Sequence, residues 1–554
     1  MGDGLAEAIA AFQGGDLAHS RDLAERQLEA GPSPPLHHLL GLLDCREGKL
    51  DSGIAWLRRA FEAEPGNISF RLMLVRALID GGHGADAFDL ASRPCAIGLA
   101  ELPLWHARCE AADAANHPEA AAEAAQILCT AGSLDWHVWA TLGRNLFKLE
   151  RFADSERAYR QALALAPTEA GPICELGLVY ERTNQHELLA ELLDSSLGLG
   201  IAREQLAELW AIRGFRDGRV DEARELLDRS IPGPDPAHWH YLRAKLADAA
   251  DDPICAFDAA MQMNRATPEF EEWRVRAAAY RCELRDLADR ITPEWAARLP
   301  APPPSAPPSL AFLVGFPRSG TTLLDTFLMG HAGITVIEEK GLLVASGRSL
   351  GRTAELPDRS AAKIGAARAT YLDLLGNQVD EAAGLIVDKA PLNLLAMPLI
   401  HCLFGSAPTI FVQRHPCDAV LSGFMQSFTA NLGMASFLDI ADAADFYDAA
   451  MRVWTASIEA LPVNSHKIVY EDLVRDPETT LRPLVDFLGL GWDERMLDHR
   501  STASARGHIA NPSYNQVTEA LHGRAIGRWR RYEKQLEPVL PVLLPWAERL
   551  GYRD

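Results

Sequence analysis

The sequence lacks three features that would each point to a particular class of protein. No apolar run approaches the ~20 residues of a membrane span, since the longest candidate, residues 394–404, is broken by Pro398 and His401. Basic residues are few: 54 Lys and Arg stand against 76 Asp and Glu, a formal charge of −22. The N-terminus lacks the basic and apolar regions of a secretory signal. We therefore expect no membrane span and no nucleic-acid partner.

The chain has few cysteines, and their spacing does not indicate a disulfide framework. The nine cysteines form no C-x-x-C pair and their number is odd. Reduced thiols in a cytoplasmic protein are the simplest interpretation. In so acidic a chain, any anionic ligand has to be held by a local basic pocket.

Residues 1–291 are rich in alanine and leucine and repeat with a period of 34. A pair that begins at Leu40 recurs at that interval as far as Trp210. Twelve residues after the second member of each pair, five of the six positions carry a small residue, as a close helix crossing needs: Gly53, Ala87, Ala121, Ser155, Leu189 and Ala223. The pattern resembles the tetratricopeptide repeat (TPR), which predicts an all-α solenoid of seven or eight units with a concave groove.

A second domain is predicted after a linker. In residues 300–308, six of nine residues are proline, so we interpret residues 292–308 as a stiff spacer, with an SH3 ligand as the weaker alternative. Residues 309–554 alternate short β-branched runs with helical segments. That alternation predicts a three-layer α/β domain with a parallel sheet, whose ligands bind at the carboxyl ends of the strands.

The segment 310–324 predicts an anion-binding loop. A buried strand runs into a glycine-bounded turn and then a helix, so that backbone amides, hydroxyls and the helix N-terminus converge. The predicted binding residues are Pro317, Arg318, Ser319, Gly320, Thr321 and Thr322. The spacing is close to a Walker A loop, but the lysine of that loop is missing, which argues against ATP or GTP hydrolysis.

The arrangement P-R-S-G-T-T-L resembles the 5′-phosphosulfate loop of sulfotransferases that use PAPS (3′-phosphoadenosine 5′-phosphosulfate). With Arg318 inside the loop, it is most similar to protein-tyrosine sulfotransferases. Together with the repeats, the chain resembles a bacterial-type, TPR-containing sulfotransferase. The fold that this implies for the second domain is a P-loop-like sulfotransferase domain.

Residues 409–422 place Arg414 at a strand exit and Ser422 eight residues later, where both can contact one phosphate. A structural ion pair between Arg414 and Asp418 is the alternative. The segment resembles the 3′-phosphate-binding segment of sulfotransferases, which implies that Arg414 and Ser422 bind the nucleotide. Tyr470 matches the tyrosine that lies near the nucleotide in protein-tyrosine sulfotransferases.

Residues 523–532 form a basic and aromatic segment that resembles the late segment closing over the nucleotide in this family. Gly527 and Trp529 match that pattern. Arg524 aligns with the family's 3′-phosphate ligand only if this segment is shifted by two residues against the family pattern. A solvated basic helix face is the alternative.

Sulfuryl transfer needs a base for the acceptor and cations for the developing negative charge. Glu339 follows Arg318 by 21 residues and matches the catalytic glutamate of protein-tyrosine sulfotransferases, with Glu338 as the alternative. Lys389 resembles the lysine that contacts the transferring group. Ser513 resembles a residue near the sulfate end of the cofactor. The resemblance thus implies catalytic roles for Glu339, Arg318, Lys389 and Ser513.

These observations predict a cytoplasmic, metal-independent, PAPS-dependent sulfotransferase that leaves adenosine 3′,5′-bisphosphate. The resemblance and the groove imply a peptide or protein acceptor, with tyrosine as a candidate. Sulfation of a saccharide or small-molecule hydroxyl and a non-catalytic TPR scaffold that binds a nucleotide are the alternatives. A homo-oligomer is left open.

Overall fold

The computed structural model describes residues 3–93, 101–233, 235–302, 309–379, 384–505, 521 and 523–553. The chain divides into two compact units, residues 1–210 and 211–554. Every helix in these described stretches is too short or too polar to cross a membrane.

The first unit consists of antiparallel helix pairs. Successive second helices begin at Leu50, Gly84, Pro118, Phe152 and His186, each 34 residues after the last, which confirms the predicted period. The helices are α1 (Asp3–Gln13), α2 (Leu17–Ala30), α3 (Pro34–Arg46), α4 (Leu50–Ala63), α5 (Ile68–Asp80), α6 (Gly84–Ser92), α7 (Glu101–Ala114), α8 (Pro118–Thr130), α9 (Trp136–Lys148), α10 (Phe152–Leu165), α11 (Ala170–Arg182) and α12 (His186–Gly198), followed by a 3₁₀ turn (Arg203–Leu206) and α13 (Ala207–Arg216), which crosses the unit boundary.

Small residues allow the paired helices to approach closely. Ala87, Ala121 and Ser155 are fully buried. The Ser155 hydroxyl donates to the carbonyl oxygen of Gly143 at 2.7 Å, across the α9–α10 crossing. A larger side chain at these positions would push the helices apart.

The second unit begins with helices of the repeat region. They are α14 (Val220–Arg229), α15 (Pro236–Ala249), α16 (Pro253–Arg265), α17 (Phe270–Arg290) and the short α18 (Pro293–Ala296). The unit boundary therefore falls before the predicted domain end at residue 291. Trp295 of α18 is buried, so the predicted spacer 292–308 starts as packed structure; its residues 303–308 lie outside the described ranges.

These helices share one core with the domain that follows. The Asn264 amide on α16 donates to the carbonyl oxygens of Phe424 at 3.0 Å and Phe437 at 3.2 Å. The buried Arg281 guanidinium on α17 lies 2.6 Å from the Asp442 carboxylate. Because removing one partner of a buried ion pair is strongly destabilising, the end of the repeat region is held firmly to the sheet domain.

Residues 309–554 confirm the predicted α/β fold with a parallel sheet. Its five strands are β1 (Leu310–Gly315), β2 (Ile334–Glu338), β3 (Leu385–Lys389), β4 (Thr409–Gln413) and β5 (Ser465–Val469), in the spatial order β2-β3-β1-β4-β5. The register sets Leu313 beside Lys389 and Gly315 beside Val412. The carboxyl ends of β3, β1 and β4 are consequently neighbours.

Helices cover both faces of this sheet, so β1 is buried along its whole length, as its apolar run predicts. The helices are α19 (Thr321–Met329), α20 (Leu342–Gly347), α21 (Ala361–Gly376), α22 (Met397–Phe404), α23 (Pro416–Phe424), α24 (Ile440–Ala460), α25 (Tyr470–Arg475), α26 (Pro477–Phe487) and α27 (His499–Ala505), with two near the C-terminus (Glu533–Leu536 and Leu540–Arg549). Short 3₁₀ turns lie between them (Arg348–Leu350, Thr353–Asp358, Pro391–Ala396, Met434–Leu438, Glu494–Leu497, Gly523–Ala525 and Arg528–Tyr532).

Two local details are not given by the alternation of strands and helices in the sequence. Residues 334–338 form the strand β2, and Tyr470 is the first residue of α25, directly after β5. Both elements lie beside the site described below.

Candidate active site

The loop between β1 and α19 closes tightly on itself and on Tyr470. Arg318 and Gly320 have positive φ angles of 69° and 101°, which turn successive amides toward one side. A Cβ on Gly320 would collide with the Tyr470 ring, so only glycine fits there. The Ser319 hydroxyl is buried and has no hydrogen-bond partner among the described residues. Since buried polar groups are normally paired, this unpartnered hydroxyl fits a loop that binds an anion.

The remaining predicted loop residues lie around this turn. Pro317 is buried within it. Thr321 and Thr322 are the first residues of α19, and both are buried. Their amides are at the positive end of the helix, where an anion is stabilised.

Arg318 meets the second predicted phosphate-binding segment. Its Nε donates to the Ser422 hydroxyl at 3.2 Å. Burial, followed by repulsion from the Arg414 guanidinium, lowers the pKa of Arg318 to about 10. The side chain remains a cation at neutral pH, and a nearby anion would relieve the repulsion between the two arginines.

Arg414 leaves the carboxyl end of β4 and faces the loop. Its Nη1 donates to the carbonyl oxygen of Arg318 at 2.9 Å, and its Nη2 to that of Ala525 at 2.7 Å. The guanidinium carbon lies 4.7 Å from the centre of the Tyr470 ring. The side chain is buried, and within the part of the chain that the structure describes its Nε has no hydrogen-bond partner. The structure thus brings Arg318, Arg414, Ser422 and Tyr470 together.

Asp418 does not provide the alternative structural pair for Arg414. Its carboxylate accepts hydrogen bonds from the backbone amides of Gly527 at 2.7 Å and Trp529 at 2.8 Å. These bonds fix residues 523–532 against α23. Trp529 is buried, with its ring 5.2 Å from that of His415, whereas Arg524 is exposed.

A second cluster surrounds Lys389 at the end of β3. Its fully buried Nζ lies 2.7 Å from Glu339 Oε1, 3.3 Å from Asp325 Oδ2 and 3.4 Å from Glu338 Oε1. Burial alone would lower the pKa of Lys389, but the three carboxylates outweigh it and raise the pKa. The ammonium therefore stays charged inside the protein.

Exposure distinguishes the three acids. The side chain of Asp325 is fully buried, that of Glu338 is 19% exposed and that of Glu339 is 47% exposed. Glu339 also has a positive φ of 48°, and its amide donates to the carbonyl oxygen of Lys389 at 2.8 Å. Glu339 is consequently the carboxylate that an incoming molecule can reach most easily.

Sequence reasoning missed two residues near the end of β3: Asp325, which contacts Lys389, and Tyr371, which contacts Asp388. A single acid in the apolar helix α19 is the signal that could have revealed Asp325, because a buried charge needs a counter-ion. Next to Lys389, the Tyr371 hydroxyl donates to Asp388 Oδ2 at 2.7 Å, and burial raises the pKa of Asp388 to about 6. Ser513 lies outside the described residues.

In comparisons with known proteins, two family models match separate parts of the chain. Residues 309–494 match the sequence model of the sulfotransferase family, and residues 136–169 match that of the tetratricopeptide repeat. Over 354 residues the chain is 27% identical to an uncharacterized protein of Aquifex aeolicus (strain VF5), a match that covers 60% of this chain and 45% of that protein. The match thus spans less than half of the Aquifex protein.

Two further similarities are to proteins named as sulfotransferases. Over 263 residues the chain is 27% identical to protein-tyrosine sulfotransferase 1 of Danio rerio, which covers 44% of this chain and 72% of that protein. The solved sulfotransferase domain from the Synechococcus PCC 7002 olefin synthase is 23% identical and covers 42% of this chain and 91% of that domain, with a TM-score of 0.32.

Proposed function

We propose that this protein transfers a sulfuryl group from PAPS to an acceptor hydroxyl, because residues 309–494 match the sequence model of the sulfotransferase family. The observation that carries the proposal is the contact between Lys389 Nζ and Glu339 Oε1 at 2.7 Å. It combines a permanently charged cation with a reachable carboxylate, at a strand end that neighbours the anion-binding loop.

The buried polar groups around the loop fit PAPS. Ser319 and the first amides of α19 are suited to the 5′-phosphosulfate, while Arg414 and Ser422 are suited to the 3′-phosphate. The Ser319 hydroxyl and the Arg414 Nε are both buried, and neither has a hydrogen-bond partner in the described ranges, so each has capacity for a ligand. When bound, PAPS supplies an activated sulfuryl group attached to a phosphate oxygen.

The residues of this chain then fill the roles that the reaction needs. Glu339 accepts the proton of the acceptor hydroxyl at its carboxylate. Lys389 holds that carboxylate in place and, with Arg318, offsets the negative charge that grows on the departing phosphate oxygen. Asp325 and Glu338 keep Lys389 charged and oriented. In this scheme Lys389 does not donate its proton.

We assign the acceptor hydroxyl to a peptide or protein, with tyrosine as the first candidate. The similarity to protein-tyrosine sulfotransferase 1 and the TPR match support this choice. The helical repeats would bind the acceptor chain, since TPR solenoids offer long concave surfaces. A saccharide or small-molecule hydroxyl is the second candidate, and the cytoplasmic location stays a prediction.

Labelled PAPS and a panel of hydroxyl compounds test the proposal: a tyrosine-containing peptide, a serine-containing peptide of the same length, an oligosaccharide and a simple phenol. Transfer to any of them, abolished in Glu339→Gln, would support catalysis. Calorimetry with adenosine 3′,5′-bisphosphate tests the cofactor separately. Binding without transfer would favour a nucleotide-binding scaffold, and absence of binding would refute the assignment of the cofactor.

A further inference from the structure

Asp248, at the end of helix α15 in the repeat region, contacts three residues of the basic segment 523–532 through its carboxylate. Its Oδ1 accepts a hydrogen bond from the Tyr532 hydroxyl at 2.6 Å. Its Oδ2 lies 3.0 Å from Arg528 Nη2, and Oδ1 lies 3.4 Å from Arg531 Nη1. One carboxylate thus gathers two cations and a buried phenol from a segment 280 or more residues away.

The same segment is bound on its other side to the phosphate-binding elements. Gly527 and Trp529 donate their amides to Asp418. The carbonyl oxygen of Ala525 accepts from Arg414. Ser422 follows Asp418 by one helical turn on α23, so the position of the segment and the position of these ligands are linked.

Tyr241 lies seven residues before Asp248, which places both on one face of α15. The charge of Arg528, which Asp248 holds, also contributes to lowering the pKa of Arg318, after burial and the charge of Arg414.

We propose that Asp248 is a positioning residue of the nucleotide site: by holding Arg528, Arg531 and Tyr532, it fixes segment 523–532 so that Arg414 and Ser422 are oriented for the 3′-phosphate. The last helix pairs of the repeat region are then part of the nucleotide-binding apparatus. This inference rests on the proposed sulfotransferase function.

The test compares Asp248→Asn with two other variants of the full chain. Asp248→Asn keeps the size of the side chain but removes the charge that holds the arginines, so adenosine 3′,5′-bisphosphate should bind about tenfold more weakly, the effect of losing one charge-assisted contact. Asp248→Glu restores the charge and should recover part of the affinity. Asp228→Asn removes an exposed pair between Asp228 on α14 and Arg243 on α15, 2.9 Å long, and should leave the affinity unchanged.

Hydrogen exchange supplies a readout that needs no nucleotide. In Asp248→Asn, faster exchange is expected in segments 523–532 and 414–424, with unchanged exchange in strands β1 and β3. A merely structural role would accelerate exchange throughout the second unit instead. If Asp248→Asn does not fold, Arg531→Gln is the milder variant. Arg531 is more exposed than Arg528, and it also forms an ion pair with Asp251.

The outcomes separate the two proposals. If the unaltered protein does not bind adenosine 3′,5′-bisphosphate, the cofactor assignment fails, whatever Asp248 does to hydrogen exchange. If it binds and Asp248→Asn binds equally well, the role of Asp248 is overturned. The role of Asp248 is supported if Asp248→Asn shows faster hydrogen exchange only in the two named segments and binds the nucleotide more weakly, and if Asp248→Glu recovers part of the affinity.

Discussion

The Nζ of Lys389 lies 2.7 Å from Glu339 Oε1, and the two side chains differ sharply in exposure: the lysine is fully buried and the glutamate is 47% exposed. A buried cation thus anchors a carboxylate that still reaches solvent. Two more acids, Asp325 and Glu338, share the lysine, so Glu339 is not needed to neutralise it alone. The role proposed for Glu339, accepting a proton from the acceptor, therefore does not require it to be the sole counter-ion of Lys389.

Glu339→Gln should reduce turnover about 10² to 10⁴-fold, because the amide keeps the shape of the side chain but cannot act as a base. Affinity for adenosine 3′,5′-bisphosphate, measured by calorimetry, should stay close to normal. Glu338→Gln is the matched control, since Glu338 contacts the same lysine but is only 19% exposed. A larger loss of turnover in Glu338→Gln than in Glu339→Gln would reverse the assignment.

Arg414→Ala should weaken binding of adenosine 3′,5′-bisphosphate by about 1.5 to 3 kcal/mol, the range for a hydrogen bond to a charged group. Titration calorimetry measures this loss. Arg524→Ala is the comparison, because Arg524 is exposed in the neighbouring segment. We expect the smaller effect there; equal losses would instead support Arg524 as a 3′-phosphate ligand.

Asp388→Asn should change how stability depends on pH. In the folded chain the pKa of Asp388 is raised from 3.8 to about 6 by burial, so the folded state binds this proton more tightly than the unfolded state. The resulting stabilisation is present at acidic pH and is lost as the pH rises from about 4 through about 6. Asparagine does not titrate, and its carbonyl can still accept from Tyr371.

The stability of Asp388→Asn relative to the unaltered protein should therefore increase by up to ~3 kcal/mol between pH 4 and pH 7, at ~1.4 kcal/mol for each unit of pKa. Urea unfolding at both pH values measures the difference. Tyr371→Phe, which removes the donor and leaves the acid, is the control that should retain the pH dependence. A constant difference between Asp388→Asn and the unaltered protein would contradict the prediction.

Repetition and motif spacing predicted most of the architecture. The period of 34 gives the starts of the repeat helices because each unit buries the same positions against its neighbours. The alternation of strands and helices predicted the parallel sheet, whose strand order then brings β1, β3 and β4 together. Arg318, Lys389 and Arg414 could be singled out as candidates because each lies at or shortly after the end of an apolar strand.

Long-range pairing could not be predicted from such local signals. Strand β2 is only partly buried, and its pairing with β3 sets Glu338 beside Lys389. The contacts of Asp248 with Arg528 and of Arg281 with Asp442 join helices far apart in sequence. Individual charged residues on a helix carry no indication of which distant partner they will meet.

The proposed role of the repeats in binding the acceptor can be tested by shortening the chain, and the structure determines where to cut. A chain that begins near Pro304 would lose α14 to α18, including the pairing of Arg281 with Asp442 and Asp445, and would expose the shared core. We expect it to unfold or aggregate. A chain of residues 211–554 keeps the second compact unit, losing only the first turn of α13, and should retain binding of adenosine 3′,5′-bisphosphate.

In that shorter chain, the KM for a long protein acceptor should rise while the kinetics with a small hydroxyl compound change little, because only the long acceptor would use the missing helices. Circular dichroism and nucleotide binding establish first that the unit is folded. The small acceptor then serves as the internal control for the catalytic site. Identical kinetics with the protein acceptor in both chains would show that residues 1–210 do not bind it, and would leave the first unit as a platform for a different partner.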